Sequence, residues 1–485
     1  MCKNISIYKL KFGLFINLSI LLYCSEIEAV ERNPNILFIA IDDMAPLLGC
    51  YGTSTVYTPH IDSLADQGVS FMNAYCQVGL SNPSRASLMT GMRPDKIKVW
   101  TLKPHFREEK PNAVTLPQYY KNKGYSTHAI GKIYHDGVSH QDPASWSGVS
   151  IYNVTKDGKG HKYVQPENYL PIRSKAAATE RALVEDTAYI DGKVCQATIE
   201  ILNELTDSTF FLSVGFRRPH LPFTSPEKYW DLYDSSILEK ELRNPERPLG
   251  APDIAFHNSS ELRGYEDIVE NGIIPIEKQI ELIHGYYASI SYIDAQIGKI
   301  IAELKRLDLY NNTIIVIYSD NGFHLGDFGL WGKTTNYESS LRIPLIITGV
   351  GVECNVDNKS IVELIDIYPT LIELTHQESK PYLDGVSLLP ILKGETTEVK
   401  NFALSQIVRP YHDAINSITP DTMGYSLRTE EFRYVEWINT KNSNVFSREL
   451  YLMSNDLTEK ENVAFFKDNE MIINQLSCLI DSLKK

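Results

Sequence analysis

The run Asn35-Ile36-Leu37-Phe38-Ile39-Ala40-Ile41 decides the fold of this chain. Six consecutive apolar residues, with no alternation of polar side chains, are typical of a strand buried on both faces of a parallel sheet. Two acids, Asp42 and Asp43, follow at once. Ligands of open α/β sheets bind beyond the carboxyl ends of the strands. This run therefore predicts both a buried strand and the edge of the sheet where the chemistry takes place.

Similar apolar runs predict further strands of the same sheet, at 126–130, 210–216, 313–318 and 344–348. Helical patterns alternate with them, notably over 186–205 and 277–307. Strands that alternate with helices indicate an α/β fold, in which a mostly parallel central sheet is covered by helices on both faces.

The pattern changes near residue 400. Two short strands, at 425–429 and 432–437, flank a Glu430-Glu431 turn and predict an antiparallel pair. A further strand at 449–452 and a helix near 471–483 follow. We therefore expect a catalytic domain over 30–400 and a small C-terminal α+β subdomain over 401–485.

The N-terminus has the layout of a secretory signal peptide over 1–29. Three lysines precede an apolar run at 12–23, and Ala29 is a suitable cleavage point. The run is too short for a membrane span, and no later segment predicts one. We expect export to the periplasm or the medium, with lipid attachment at Cys24 as the alternative.

Composition narrows the class of protein. The chain has 485 residues, of which 43% are hydrophobic and 22% charged, as in an ordinary globular protein. Its net charge of -14 argues against nucleic acid as a partner. Beyond residue 29 the cysteines are odd in number and form no CxxC pair, so we do not expect a thiolate zinc site.

Ser81-Asn82-Pro83-Ser84-Arg85 is the motif that carries most chemical information. Proline suits the first turn of a helix, which places Ser81 just before a helix N-terminus, where free N–H groups and the helix dipole favour anions. Arg85 follows one turn later, with a planar guanidinium suited to a tetrahedral oxyanion. For this motif alone, an ordinary capping serine on a surface helix is the alternative.

Acids end two of the predicted strands. Asp42 and Asp43 end the first, and Asp320 with Asn321 follow the strand at 313–318. One acid at a strand end is usually a cap or turn residue, whereas two such pairs beside an anion-binding motif predict a metal site. Carboxylate and amide oxygens suit Ca²⁺ or Mg²⁺ and suit zinc poorly.

Basic residues follow three predicted strands at the same edge. Lys132 and His135 come after the strand at 126–130, His220 after the strand at 210–216, and Lys333 lies in a glycine-rich loop beyond Asn321. A single such residue is usually a solvated loop charge. Their joint occurrence beside the acids predicts a site for an anionic substrate.

These motifs together resemble the type I sulfatases, whose signature is Cys/Ser-x-Pro-Ser-Arg. The resemblance covers nearly the whole chain beyond residue 29 and implies an alkaline-phosphatase-like three-layer sandwich. Within that family the chain is most similar to iduronate-2-sulfatases, for example in Gly131-Lys132-Ile133-Tyr134-His135 and Pro219-His220-Leu221-Pro222-Phe223. Ser81 stands where the animal enzymes have cysteine, and Asn321 where they have histidine.

The resemblance implies that Ser81 is oxidised to Cα-formylglycine (3-oxoalanine) by a radical-type, oxygen-independent maturase. The hydrated aldehyde attacks sulfur, displaces the alcohol and then expels sulfate. One Ca²⁺ per chain is implied, with the ligands Asp42, Asp43, Asp320, Asn321 and residue 81.

The remaining roles follow from where charge and protons move. Arg85, Lys132 and Lys333 would stabilise the sulfuryl oxygens, and His135 would take the diol proton. His220, with Lys333, would protonate the leaving alcohol.

The implied substrate is a sulfated saccharide, with a uronic acid 2-O-sulfate of glycosaminoglycan fragments as the leading choice. Lys103, His105 and Arg107 are candidates to bind its carboxylate, with solvated loop charges as the alternative interpretation. His324 and the long segment 228–272 are expected to shape the pocket. Two other functions remain open: a phosphomonoester or phosphonate hydrolase of the same superfamily, and a non-catalytic glycan-binding protein in which Ser81 stays unmodified.

Overall fold

The strand predicted at residues 35–41 lies at the centre of the fold. The computed structural model describes residues 33–154, 162–169, 175–377, 380, 382–453 and 458–484. The predicted signal peptide and Cys24 lie outside the described residues. Within the described ranges, no helix is both long and apolar enough to cross a membrane.

The strands are β1 Asn35–Asp42, β2 Gly68–Tyr75, β3 Ser126–Gly131, β4 Ser150–Ile151, β5 Thr179–Ala182, β6 Phe210–Pro219, β7 Phe223–Pro226, β8 Thr313–Ser319, β9 His324–Leu325, β10 Trp331–Gly332, β11 Arg342–Ile343, β12 Leu345–Gly349, β13 Val356–Glu363, β14 Phe402–Arg409, β15 Thr422–Thr429, β16 Phe432–Asn439 and β17 Asn444–Leu452.

The α-helices are α1 Pro59–Ala65, α2 Ser81–Thr90, α3 Pro94–Ile97, α4 Phe106–Glu109, α5 Leu116–Asn122, α6 Ile190–Glu204, α7 Glu227–Trp230, α8 Ser235–Leu238, α9 Ser260–Arg263, α10 Ile276–Arg306, α11 Glu338–Leu341, α12 Ile367–Leu374, α13 Leu389–Leu392, α14 Tyr411–Asn416 and α15 Glu470–Leu483.

A nine-stranded sheet contains β1 at its centre, in the order β11-β2-β12-β8-β1-β6-β3-β4, with β13 paired to β2. β1 runs parallel to β6 and β8, so that Ile39 lies between Val214 and Ile317. β12 runs antiparallel to both β8 and β2. The predicted mostly parallel sheet is confirmed, and the strand expected at 344–348 is present as an antiparallel member.

Helices cover both faces of this sheet, as predicted. Along β1, Leu37, Ile39 and Ile41 join one apolar core, which also takes side chains from α6 and α10. Ile36, Phe38 and Ala40 join the other core, with side chains from α2, α5 and α12. Every residue of β1 is buried because the strand meets a helical layer on each side.

The C-terminal part forms a separate antiparallel sheet in the order β14-β15-β16-β17. The predicted strand pair and closing helix are confirmed as β15, β16 and α15. Buried Arg409, at the end of β14, donates hydrogen bonds to the carbonyls of Ile254, Ala255 and Thr334. This sheet thereby fixes the loop that carries Lys333. The domain boundary at 400 stays a prediction, with β14 beginning at Phe402.

Candidate functional site

The predicted acids meet at the carboxyl ends of β1 and β8. Asp42 ends β1, and Asp43 adopts φ of 60°, a left-handed conformation that costs an L-residue roughly 1–2 kcal/mol. Successive side chains of a strand point to opposite faces, so this turn allows two consecutive acids to reach one place. Carboxylate oxygens of Asp42, Asp43 and Asp320 lie within 4.8 Å of one another.

Asn321 completes a set of oxygen atoms suited to a metal. Its amide nitrogen donates to Asp43 Oδ1 at 2.8 Å, whereas its Oδ1 is buried and has no hydrogen-bond partner among the described residues. Burial raises the pKa of Asp43 to about 7 and also raises that of Asp320. Three buried carboxylates with an unpartnered amide oxygen fit a hard divalent cation, which would offset their mutual repulsion.

Arg85 lies beneath this cluster. Its Nε donates to Asp320 Oδ2 at 2.7 Å, and its Nη2 donates to Asp42 Oδ1 at 3.1 Å. Nη1 donates to the carbonyls of Lys132 and Ile133, at 2.6 and 3.0 Å. These contacts let Arg85 orient two acids, and its expected role in stabilising the sulfuryl oxygens stays a prediction.

Lys132 supplies a second buried counter-charge, since its ammonium is paired with Asp42 Oδ2. Burial alone would raise the pKa of Asp42. The surrounding cationic groups, with Lys132 the largest contributor, together outweigh that effect and hold the pKa of Asp42 well below its ordinary range. Asp42 is therefore a firmly ionised carboxylate.

Ser81 is the first residue of α2, one position further into the helix than its motif suggested. The helix is ten residues long, and Ser81 is 2% exposed. Its Oγ donates to Asp42 Oδ1 at 3.2 Å. The reactive position thus combines a helix N-terminus with the acidic cluster, as the motif predicted.

Lys333 and His220 approach the cluster from the other side. Lys333 Nζ lies 2.6 Å from Asp43 Oδ2. Burial lowers the pKa of Lys333, but the negative charges of Asp43 and its acidic neighbours outweigh burial and raise that pKa well above the ordinary value. His220 Nε2 lies 3.7 Å from the same oxygen. Its Nδ1 lies 2.7 Å from the carbonyl of Leu221, which directs Nε2 towards the acids.

Glu261 connects these two cations. Its Oε2 lies 3.1 Å from Lys333 Nζ, and its Oε1 lies 3.3 Å from His220 Nε2. Burial opposes the charge of Glu261, yet Lys333 and His220 lower its pKa. For His220 itself, burial is the main cause of a pKa lowered to about 3.

A cavity of about 310 Å³ opens above this arrangement. Ser81, His135, His220 and Lys333 line it, whereas Arg85, Lys132 and the three aspartates lie outside its lining. His135 Nδ1 is buried without a hydrogen-bond partner among the described residues. Burial, together with the nearby charge of Lys132, lowers the pKa of His135 to about 3.

Two charged lining residues, Glu261 and Lys175, were not identified from the sequence. Glu261 lies in α9, within the segment 228–272 that was expected to shape the pocket, and that expectation is confirmed. The signal was compositional and could not single out one acid. Lys175 belongs to no recognisable motif. Its position depends on an isolated β-bridge to Tyr265, which is distant in sequence, and a local sequence pattern cannot show such a contact.

The expectation that Arg107 binds a substrate carboxylate is wrong. Its Nε and Nη2 donate to Asp142 at 2.6 and 2.8 Å, and its Nη1 donates to the carbonyls of Pro111 and Ala113. These contacts use the guanidinium to hold a loop together.

The other two candidates of that loop also lie outside the cavity lining. His105 Nδ1 accepts a hydrogen bond from the Arg107 amide at the start of α4, and Lys103 is exposed. His324 is buried with Nε2 2.8 Å from Thr335 Oγ1, so it does not line the cavity either.

Comparison with known proteins points to one family. A family model described as Sulfatase matches residues 34–377, and one described as N-sulphoglucosamine sulphohydrolase, C-terminal, matches residues 326–485. Iduronate 2-sulfatase of Homo sapiens is 31% identical over 507 residues, covering 88% of this chain and 90% of that protein. A sulfatase of Formosa agariphila is 28% identical, covering 88% of this chain and 86% of that protein.

Solved structures agree on the architecture. The phosphonate monoester hydrolase of Silicibacter pomeroyi superposes with a TM-score of 0.75 at 22% identity, covering 92% of this chain and 94% of that chain. At that identity the likeness concerns the fold alone, and it confirms the predicted alkaline-phosphatase-like sandwich.

Proposed function

Because this chain belongs to the sulfatase family, we propose that it is a formylglycine-dependent sulfuric ester hydrolase acting on a uronic acid 2-O-sulfate of glycosaminoglycan fragments. One observation carries the proposal. Ser81 begins a helix, contacts the buried acidic cluster through Asp42, and opens into a cavity that His220 and Lys333 also line.

The nucleophile requires chemical maturation of Ser81. A serine hydroxyl is a weak nucleophile unless a base takes its proton. The acceptor nearest to Ser81 is Asp42, whose oxygens are already paired with Arg85 and Lys132. We therefore assign oxidation of Ser81 by a radical-type maturase as the activating step, with the hydrated aldehyde of formylglycine supplying the attacking oxygen.

The acidic cluster is the proposed metal site. Asp42, Asp43, Asp320 and Asn321, with residue 81, would hold one Ca²⁺ through oxygen atoms. Bound there, the ion would supply positive charge that stabilises the sulfuryl oxygens as negative charge develops. Arg85 and Lys132 keep Asp42 in place through their contacts with it, and their positive charges would also stabilise the sulfuryl oxygens.

The residues that line the cavity take the proton-transfer and charge-stabilising roles. Lys333 presents its ammonium to a sulfuryl oxygen. His135, whose Nδ1 has no partner among the described residues, accepts the proton that the second hydroxyl of the hydrated residue releases. His220 donates a proton to the leaving alcohol from Nε2. Burial lowers the pKa of His220, and the negative charge of Glu261, 3.3 Å from Nε2, opposes that effect and so favours the imidazolium form that this step needs.

The saccharide substrate is supported by the relative and by the cavity. Iduronate 2-sulfatase is among the related proteins, and the cavity is small enough for a terminal saccharide unit rather than a long internal segment. We therefore propose action from the non-reducing end, in a protein exported after removal of residues 1–29.

Kinetics on paired substrates tests this function. Protein co-expressed with a serine-competent maturase should hydrolyse sulfate monoesters much faster than phosphate monoesters with the same alcohol. Among defined sulfated disaccharides, the uronate 2-O-sulfate should have the highest kcat/KM. Preference for the phosphate esters would support the phosphohydrolase alternative, and saccharide binding without turnover would support the glycan-binding one. Preference for a sulfated hexosamine would reject the substrate and leave the sulfatase chemistry standing.

A further inference from the structure

We propose that Lys175 binds a second anionic group of the saccharide, with the uronate carboxylate as its primary ligand. This inference rests on the proposed function and names the residue that recognises the substrate beyond its sulfate ester. Lys175 takes the carboxylate-binding role that was expected of the loop residue Arg107, because the Arg107 guanidinium is occupied by Asp142 and by backbone carbonyls.

Lys175 lines the same cavity as Ser81 and Lys333. Its Nζ donates to the carbonyl of Glu261 at 3.0 Å and lies 4.7 Å from the centre of the Tyr265 ring. The Glu261 peptide therefore links the Lys175 ammonium to the part of the cavity that holds Lys333. A saccharide with its sulfate at Ser81 can then extend a second group towards Lys175.

The backbone of Lys175 itself is held in place before a ligand arrives. Lys175 and Tyr265 form a parallel β-bridge, and the Glu266 amide donates to the Lys175 carbonyl at 3.2 Å. Contact with an aromatic face limits the positions that the flexible lysine stem can adopt. Less conformational entropy is then lost when the ammonium binds a ligand.

Lys175 differs from the other lysines of the site in its partners. Lys132 is paired with Asp42, and Lys333 with Asp43 and Glu261. Among the described residues no carboxylate forms an ion pair with Lys175, although an ammonium has three N–H donors.

The surroundings also favour an incoming anion. Burial lowers the pKa of Lys175 and the nearby Lys333 lowers it further, while the charge of Glu261 opposes them. A carboxylate or a sulfate bound at Nζ would offset the cost of keeping this cation partly out of water.

The test compares Lys175→Met with wild type on two disaccharides that differ in one group. One carries the 2-O-sulfated uronate, and the other carries the same sugar with its carboxyl reduced to a hydroxymethyl. Lys175→Met should lower kcat/KM for the uronate by about ten- to a hundredfold, mainly through KM, because a charged hydrogen bond is lost. The reduced disaccharide and para-nitrophenyl sulfate should change by less than about threefold.

Two matched variants control for other effects. Lys103→Met removes an exposed lysine outside the cavity lining and should leave all three substrates unchanged. Lys175→Arg keeps the positive charge and should recover most of the lost affinity for the uronate. A second disaccharide pair, with and without a sulfate on the neighbouring hexosamine, shows whether the anion at Lys175 is that sulfate instead.

Each result separates the possibilities. A loss that follows either the carboxylate or the second sulfate supports the assignment and identifies the anion. Equal losses on all substrates, with wild-type turnover of the uronate intact, would overturn the role of Lys175 and leave the proposed function standing. No cleavage of the uronate by matured wild type, with the aryl sulfate still hydrolysed, would overturn the proposed substrate and this inference together.

Discussion

Glu261→Gln is the substitution that best separates the proton-transfer role of the site from its metal-binding role. Glutamine keeps the size of the side chain but removes the negative charge that lies 3.1 Å from Lys333 Nζ and 3.3 Å from His220 Nε2. Asp43 still holds Lys333 at 2.6 Å, and the three aspartates keep their own partners. The main change is therefore a less stable imidazolium at His220.

The expected size of the effect follows from the contacts that are lost. A hydrogen bond to a charged group contributes about 1.5–3 kcal/mol. The glutamine carbonyl can still accept from Lys333, so one such contact, the one to His220, is lost. That loss corresponds to roughly a ten- to a hundredfold decrease in kcat. Because the Glu261 side chain is 21% exposed, we expect the lower part of this range.

The dependence on the leaving group is the decisive readout. A saccharide alcohol needs a proton as the sulfur–oxygen bond breaks, whereas para-nitrophenolate leaves readily without one. Glu261→Gln should therefore lower kcat for the saccharide sulfate and change para-nitrophenyl sulfate by less than about threefold. Glu239→Gln, an exposed acid of the same segment, is the matched control and should change neither. Equal losses on both substrates, or no loss on the saccharide, would refute this role of Glu261.

Three further predictions address the metal, the loop and a buried acid. Asp43→Ala should reduce bound Ca²⁺, measured by elemental analysis, from one per chain to a small fraction and abolish turnover with an unchanged circular dichroism spectrum; zinc at one per chain in active wild type would contradict it. Arg107→Ala should cost about 3 kcal/mol of unfolding free energy, because Asp142 is 2% exposed and loses its only cationic partner among the described residues. The folded variant should keep the wild-type ratio of saccharide to aryl sulfate turnover, and a selective loss on the uronate would restore Arg107 as a ligand. Burial raises the pKa of Asp294 to about 7 in the folded protein, so the folded state holds the carboxyl proton more tightly than the unfolded state does. The free energy of unfolding therefore falls as the pH rises from the pKa of the unfolded carboxyl towards 7. Asp294→Asn should therefore gain thermal stability over wild type, by on the order of a few kcal/mol, between about pH 5 and about pH 9; a pH-independent difference would show that Asp294 does not titrate in this way.

The strands were predictable because burial on both faces leaves an unbroken apolar run. β1, β6 and β8 have such runs, and their predicted positions are confirmed to within a few residues. The direction of β12 was not predictable, because an antiparallel strand buried on both faces has the same apolar pattern as a parallel one. The direction of a strand depends on how the chain enters the sheet. Here β11 leads almost directly into β12, and both strands pair antiparallel with β2.

The site was predictable where the topology of the sheet determines it. Asp42 ends β1 and Asp320 directly follows β8, the parallel neighbour of β1, so their meeting follows from the sheet. Arg107 was misassigned because its partner Asp142 is distant in sequence and shares no pattern with it. Glu261 and Lys175 come from irregular segments, where no periodicity shows which side chain faces the cavity.

The mass of residue 81, measured together with sulfatase activity, tests the central claim most directly. In protein from cells with a serine-competent maturase, the peptide that contains Ser81 should be lighter by about 2 Da, the two hydrogens lost when an alcohol becomes an aldehyde. Across preparations with different extents of maturation, kcat should rise in proportion to the oxidised fraction, and Ser81→Ala should be inactive under the same maturation. Full activity in protein whose Ser81 is entirely unmodified would contradict the account.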